Sequence, residues 1–290
     1  MYKLITPYAD DFGKPNVIIK HFPDTESYVR IPQINSLKNK KVIIYHRLYP
    51  EPEKRLFELL LILSRIKKES KNIELFVPYL PYARQDRTSR DGEVVSADIL
   101  CQMLKNYGVK KLITYDCHFL PKPGHFTRVG LKIENRSAGP QLLAYAKKYF
   151  SNFSLEKFVV ISPDEGSSYF IENAQGHSLK KTRKNTATTN GKTGIHAEVD
   201  KIEGHVDVKG KNVVILDDII ATGSTIMHAS KHLKTLGAKK IIVGATHGVF
   251  AGVNIAEKIL KNSCDKIFIT NAIIGSNNKV EILKLDVNKK

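Results

Sequence analysis

The segment VVILDDIIATGST, residues 213–225, carries the densest chemistry in the chain. An apolar run of the kind that forms a buried strand ends in two acids, Asp217 and Asp218. A loop of small residues follows, Ala221, Thr222, Gly223, Ser224 and Thr225, and then a stretch with helical periodicity. Amides and hydroxyls gathered at a helix N-terminus suit a phosphate dianion. Paired carboxylates at a strand end accept hydrogen bonds from sugar hydroxyls or hold a divalent cation. The carboxyl end of a parallel strand is also where open α/β sheets bind ligands. No Gly-Lys-Ser/Thr is present, so this is not a Walker-type phosphate loop. The plainer reading is an acidic turn followed by a helix cap. A second loaded segment, residues 174–197, holds five Lys/Arg and no Asp or Glu, and is rich in Gly, Thr and Asn. It lacks apolar periodicity and reads as a mobile basic loop.

The elements that must position these residues alternate regularly. Strands are expected at 42–48, 73–80 and 110–116, with helices at 56–68 and 96–108 between them. Ser96 is the expected N-cap of the second helix, and Gly108 lies just past its end. A similar series follows. Helices are expected at 140–150, 224–237 and 254–263, and strands at 157–165, 212–218, 239–250 and 266–273. Strand and helix in alternation imply right-handed βαβ units around a parallel sheet. The phrases NYGVKKLITYD and TLGAKKIIVGA match in order of elements, which points to two similar α/β domains joined near Ser137–Pro140. The boundaries are 1–139 and 140–276. A last strand, 279–287, lies in a C-terminal stretch, 277–290, expected to pack back on the first domain.

Composition narrows the function classes. At 290 residues the chain is long enough for about two domains with a sizeable core. No apolar run approaches the roughly 20 residues that span a bilayer, and the N-terminus lacks a signal pattern. Cys101, Cys117 and Cys264 are too few for a disulfide framework or a zinc cluster, so a cytoplasmic protein with reduced thiols is expected. The net charge is +17. Residues 1–139 hold 24 Lys+Arg against 15 Asp+Glu, and the rest hold 22 against 14. An excess spread this evenly forms no basic arm, and it argues against a nucleic-acid partner.

Read together with PYLPYARQDR (78–87), the 213–225 segment resembles the ribose-phosphate diphosphokinase, or phosphoribosyl pyrophosphate synthetase, family. HFPDTESYVRIP (21–32) is similar to that family's Phe-x-Asp-x-Glu stretch, and TYDCH leads into its Asp-x-His. SPDEG (162–166) and TNAI (270–273) match further motifs, so the likeness covers nearly the whole chain. The resemblance implies two tandem phosphoribosyltransferase-like (type I) α/β domains, each a mainly parallel sheet flanked by helices. It implies transfer of the β,γ-diphosphate of Mg-ATP to the C1 hydroxyl of ribose 5-phosphate, with release of AMP.

The same resemblance assigns residues. Arg84, Gln85 and Arg87 follow a Pro-rigid turn and would bind ATP with forked donors. Phe22, Asp24 and Glu26 would hold adenine from a neighbouring subunit, which implies a homo-oligomer of at least a dimer and up to a hexamer. His118 and Asp164 would serve Mg²⁺, which prefers oxygen and keeps waters. Asp217 and Asp218 would hold the ribose hydroxyls, and the loop from Ala221 to Thr225 the 5-phosphate. Lys181 and Arg183 match the catalytic Lys-x-Arg and would neutralise charge on the transferred diphosphate.

The chain also departs from the family. Cys117 replaces an aliphatic residue, PKPGHF begins where glutamine is usual, and Glu165-Gly166-Ser167-Ser168-Tyr169 replaces paired glycines and Arg-Ala. Three other readings compete. A phosphoribosyltransferase explains 213–225 but neither the arginine motif nor the doubled architecture. A non-catalytic subunit would be expected to lose Lys181 and Arg183. A nucleic-acid-binding protein on the same fold would draw on the +17 charge.

Overall fold

Runs of Val, Ile and Leu form the central strands of two sheets. Each sheet lies in one of the two units of the computed structural model: residues 1–137 with 286–290, and residues 138–285. Described are all residues except 152–157, 164–168, 173–175, 184–198, 204–205, 276–277 and 288–290, with 171–172, 181–183 and 199–203 described as backbone.

The N-terminal unit runs β1 (Tyr2–Ile5), β2 (Ile18–His21), β3 (Ser27–Arg30), β4 (Val42–Tyr45), α1 (Pro52–Ile66), β5 (Ile73–Phe76), α2 (Ser96–Asn106), β6 (Val109–Tyr115), β7 (Gly124–Arg128) and β8 (Leu131–Arg136). The sheet order is β1-β4-β5-β6-β8-β7. Neighbours are parallel except β7, which pairs antiparallel with β8. All four residues of β4 are buried, as in a strand covered on both faces. Helix α1 buries Leu59, Ile62, Leu63 and Ile66 on one stripe. Each such side chain contributes about 1.5–3 kcal/mol, and Leu63→Ala would cost about 2–5 kcal/mol.

The C-terminal unit runs α3 (Gly139–Ser151), β9 (Phe158–Ser162), α4 (Tyr169–Glu172), β10 (His177–Ser178), β11 (Lys180–Arg183), β12 (Val199–Glu203), β13 (Asn212–Ile220), α5 (Ser224–Thr235), β14 (Lys240–Gly248), α6 (Ile255–Asn262), β15 (Lys266–Thr270) and β16 (Glu281–Leu283). Its sheet, in the order β10-β9-β13-β14-β15-β16, is parallel throughout. Helix α5 stops because Gly237 adopts a φ of 88°. The Ala238 amide then donates to Leu233 O at 3.1 Å and the Gly237 amide to Lys234 O at 3.0 Å, which satisfies two end carbonyls.

Three expectations are corrected. Ser96 does not cap α2: it is the first helical residue, and its hydroxyl donates to Gln85 Oε1 at 2.6 Å instead of accepting a helix amide. Lys181 and Arg183 lie not in an open loop but on β11, which pairs antiparallel with β12. The strand expected at 279–287 shortens to β16, which pairs with β15 in the C-terminal unit. Only the chain from Asp286 joins the N-terminal unit, where Tyr115 Oη donates to Asp286 O at 3.1 Å and Arg136 Nη1 to Val287 O at 2.9 Å. Among the described residues no helix is long and apolar enough to cross a membrane.

Candidate active site

In the C-terminal unit the chemistry gathers at the carboxyl edge of the sheet. β13 runs two residues further than its acids, to Ile220, and Asp217 and Asp218 are both buried. The Asp218 amide donates to Asp217 Oδ1 at 2.9 Å, so the first carboxylate is held by the backbone of the second. The loop that follows is tied to the chain after β14: Val249 and Phe250 amides donate to Ile220 O, and the Ala251 amide to Ala221 O, each at 3.0 Å. Gly223 precedes α5 with a φ of 77°, and a Cβ there would lie 2.6 Å from Ile259 Cδ1 on α6. Glycine is therefore required twice, for the left-handed backbone and for the close approach of α6. The Gly223 carbonyl accepts the first helical bond, from the Met227 amide at 2.9 Å. The first-turn amides of α5 lack partners within the helix, and Thr222, Ser224 and Thr225 place three hydroxyls beside them, with Ser224 Oγ 3.4 Å from His228 Nδ1.

β11 reaches the same edge. β10 runs parallel to β9 with His177 opposite Ile161 and Ser178 opposite Ser162, and the Leu179 amide donates to Ser162 O at 3.0 Å. The chain therefore leaves the sheet beyond the carboxyl end of β9 and enters β11, where Lys181 and Arg183 stand two residues apart. β12 packs against α5, the helix that begins at the small-residue loop. Asp164, expected to serve a metal, lies outside the described residues, two positions past the end of β9.

In the N-terminal unit the loops after β5 and β6 meet at one edge, because those strands are adjacent and parallel. Arg84 and Arg87 are exposed, and Arg87 Nε stands 3.8 Å from Asp86 Oδ1. Gln85 anchors their loop: its amide donates to Tyr82 O at 3.0 Å, its carbonyl accepts from the Ala97 amide at 3.2 Å, and its side chain accepts from Ser96. The neighbouring turn holds Asp116, fully buried at a φ of 36°, then buried Cys117 and exposed His118. Asn135 of β8 braces it, with Oδ1 accepting from the Cys117 amide and Nδ2 donating to Lys122 O, both at 2.9 Å. Cys117 is thus a packed thiol. Among the described residues no three His, Cys, Asp or Glu side chains converge as a metal cage.

Phe22, Asp24 and Glu26 occupy the turn of the β2–β3 hairpin. Phe22 is 52% exposed and stacks edge-on against Tyr28 at 5.9 Å. Asp24 Oδ1 accepts from the Glu26 amide at 3.2 Å. The last cross-strand pair, His21 and Ser27, is fastened to α1: both side chains reach Oε1 of fully buried Glu58, at 2.9 and 3.1 Å. Residue chemistry alone missed this anchor, because Glu58 lies inside an otherwise apolar helical stripe.

A parallel α/β sheet with two buried acids and a small-residue loop at its carboxyl edge has the fold of a phosphoribosyltransferase-type protein. The whole chain superposes on a solved phosphoribosylpyrophosphate synthetase from Mycobacterium smegmatis with a TM-score of 0.77, at 23% identity, covering 98% of this chain and 95% of that one. Residues 12–108 match the model for the N-terminal domain of ribose phosphate pyrophosphokinase, and residues 145–288 match that for the phosphoribosyl synthetase-associated domain. A ribose-phosphate pyrophosphokinase from Sulfurisphaera tokodaii is 32% identical over 274 residues, 91% of this chain and 87% of its own length. One from Pyrococcus furiosus is 33% identical over 279 residues, 92% and 90%. The chain belongs to the ribose-phosphate pyrophosphokinase family and is an enzyme of that class.

Proposed function

We propose that this enzyme transfers the β,γ-diphosphate of ATP to the C1 hydroxyl of ribose 5-phosphate, giving 5-phosphoribosyl 1-diphosphate and AMP. The observation that carries this reading is the cradle at Ala221–Thr225, with Asp217 and Asp218 buried behind it at the carboxyl edge. The cradle's amides and hydroxyls hold the 5-phosphate, and the two carboxylates accept from the ribose hydroxyls. In the step itself the C1 oxygen bonds to the β-phosphorus and its hydroxyl proton passes to solvent, the bond from that phosphorus to the α,β-bridging oxygen breaks, and AMP departs with that oxygen. Arg84 and Arg87 bind the triphosphate, Gln85 orders their loop, and Lys181 and Arg183 neutralise charge on the diphosphate in flight. His118 and Asp164 would each serve Mg²⁺ beside phosphate oxygens, and the ion when bound supplies further neutralisation of that charge.

The exposed Phe22 with Asp24 and Glu26 supports a homo-oligomer of at least a dimer and up to a hexamer, in which a neighbour's hairpin meets the adenine. Three buried free cysteines support a reducing, cytoplasmic setting. Arg84, Arg87, Lys181 and Arg183 serve the two polyanionic substrates, and the even split of the positive charge fits such substrates better than a nucleic acid or a membrane. The deciding assay measures AMP release from ATP with Mg²⁺, with and without ribose 5-phosphate. AMP formed only with the sugar phosphate is expected; none above background overturns the reading.

A further inference from the structure

Arg128, at the end of β7, touches both loops of the N-terminal edge although it belongs to neither. Its Nε donates to Asp98 Oδ1, in the first turn of α2, at 2.5 Å. Its Nη2 donates to the carbonyl of Asp86 at 2.7 Å, and so grips the Asp86–Arg87 peptide. Its guanidinium lies 4.3 Å from the ring centre of Phe119, the residue after His118. The side chain is 20% exposed. One planar group thus joins the arginine loop, the helix that Gln85 also engages, and the histidine turn.

We propose that Arg128 is a positioning residue: it sets the Arg84–Arg87 loop in register with the His118 turn, and so prepares the groups that receive the nucleotide. The proposal rests on the reading of Arg84 and Arg87 as triphosphate ligands. Only a guanidinium meets all three demands. It carries two separated donors in a fixed fork and a flat face that stacks on an aromatic ring. A lysine keeps the charge but has neither the fixed fork that holds both acceptors in one geometry nor the flat face that stacks on Phe119. The Asp86 contact matters most, because Arg84 and Arg87 are exposed and derive their placement from the loop backbone. The Asp98 carboxylate in turn fixes the rotation of the fork and sits at an α2 terminus that favours negative charge.

The test compares wild type, Arg128→Lys and Phe119→Leu by direct ATP binding in a calorimeter and by steady-state kinetics. Arg128→Lys is expected to weaken ATP binding and raise its KM about tenfold, the size of one lost charge-assisted contact. KM for ribose 5-phosphate should stay within about twofold, and the melting temperature within a few degrees. Phe119→Leu, which removes the stacking face but no charge, should shift the same ATP constants in the same direction. If wild type itself fails to bind ATP, the functional reading fails and this proposal with it. If wild type binds ATP and both folded variants match it, only the role of Arg128 falls. A parallel rise in both KM values with a large loss of stability would mark Arg128 as structural alone and likewise overturn the proposal.

Discussion

On the proposed function the two units solve one problem, holding an anion at the carboxyl edge of a parallel sheet, by different means. The C-terminal unit uses backbone: small residues, a left-handed Gly223 pressed against Ile259, and carbonyls of Ile220 and Ala221 bonded across to residues 249–251. The N-terminal unit uses long side chains on an exposed loop, held from behind by Gln85, Ser96 and Arg128. A backbone cradle is preorganised by conformation alone, so a single added methyl should damage it. A side-chain clamp is preorganised by its supports, so damage should be graded and confined to one substrate.

The largest effect should come from β11, whose proposed role, unlike that of either device, is in the transition state. Lys181→Ala and Arg183→Ala should each lower kcat on the order of a thousandfold with KM values little changed. A stopped assay for AMP checks this; loss of both KM values with kcat intact would instead place the pair in ground-state binding. Next is Gly223→Ala. The φ of 77° and the 2.6 Å approach to Ile259 both oppose a Cβ, so KM for ribose 5-phosphate should rise about a hundredfold and stability fall by about 1–3 kcal/mol. Gly237→Ala is the control in the same unit. It also has positive φ, 88°, but caps the far end of α5, so it should cost about 1 kcal/mol with the kinetics unchanged. Equal kinetic damage from both would break the argument for a backbone cradle.

How far these devices could be read from the chain alone follows the same division. The backbone cradle was legible, because acids, small residues and a helix start lie within thirteen consecutive positions, 213–225. The main parallel strands and helices were legible for a similar reason: their apolar periodicity is local. The supports of the side-chain clamp were not. Arg128 meets Asp86 and Asp98 only because β7 and β8 form a hairpin, and that hairpin turns at Val129 and Gly130 with φ of 43° and 77°. A β-branched residue is a poor signal for such a turn, since its side chain opposes positive φ. Lys181 and Arg183 read as loop because the partner strand, Val199–Glu203, is separated from them by a polar stretch without strand pattern. His21, Ser27 and Glu58 come together from three elements, and nothing in the spacing announces it.

Within the clamp, Arg84→Ala removes one exposed guanidinium. KM for ATP should rise about tenfold, KM for ribose 5-phosphate should hold, and the unfolding free energy should move by less than about 0.5 kcal/mol. An equal rise in both KM values would mean that the two devices are not separable by substrate, and the comparison would need to be redrawn.

The smallest effect concerns a buried group just past the end of β4. His46 follows β4 and is fully buried, with Nε2 3.1 Å from the Arg55 carbonyl and Nδ1 3.1 Å from Thr6 Oγ1. Burial lowers its pKa to about 3; the Arg55 and Arg47 charges act in the same direction, and the Arg55 carbonyl only partly opposes them. The folded state therefore keeps this imidazole neutral while the unfolded chain binds a proton below about pH 6.5. Between those two values the unfolded state holds more protons, so stability falls as pH falls. From pH 7 to pH 6 the loss from this one group is about 0.7 kcal/mol, a figure set almost wholly by the unfolded pKa. Denaturant unfolding at the two pH values, on wild type and His46→Gln, isolates it: wild type should lose about 0.7 kcal/mol more than the variant. Equal losses would mean that His46 is protonated within the fold, and that its surroundings are more accessible to water than their burial implies.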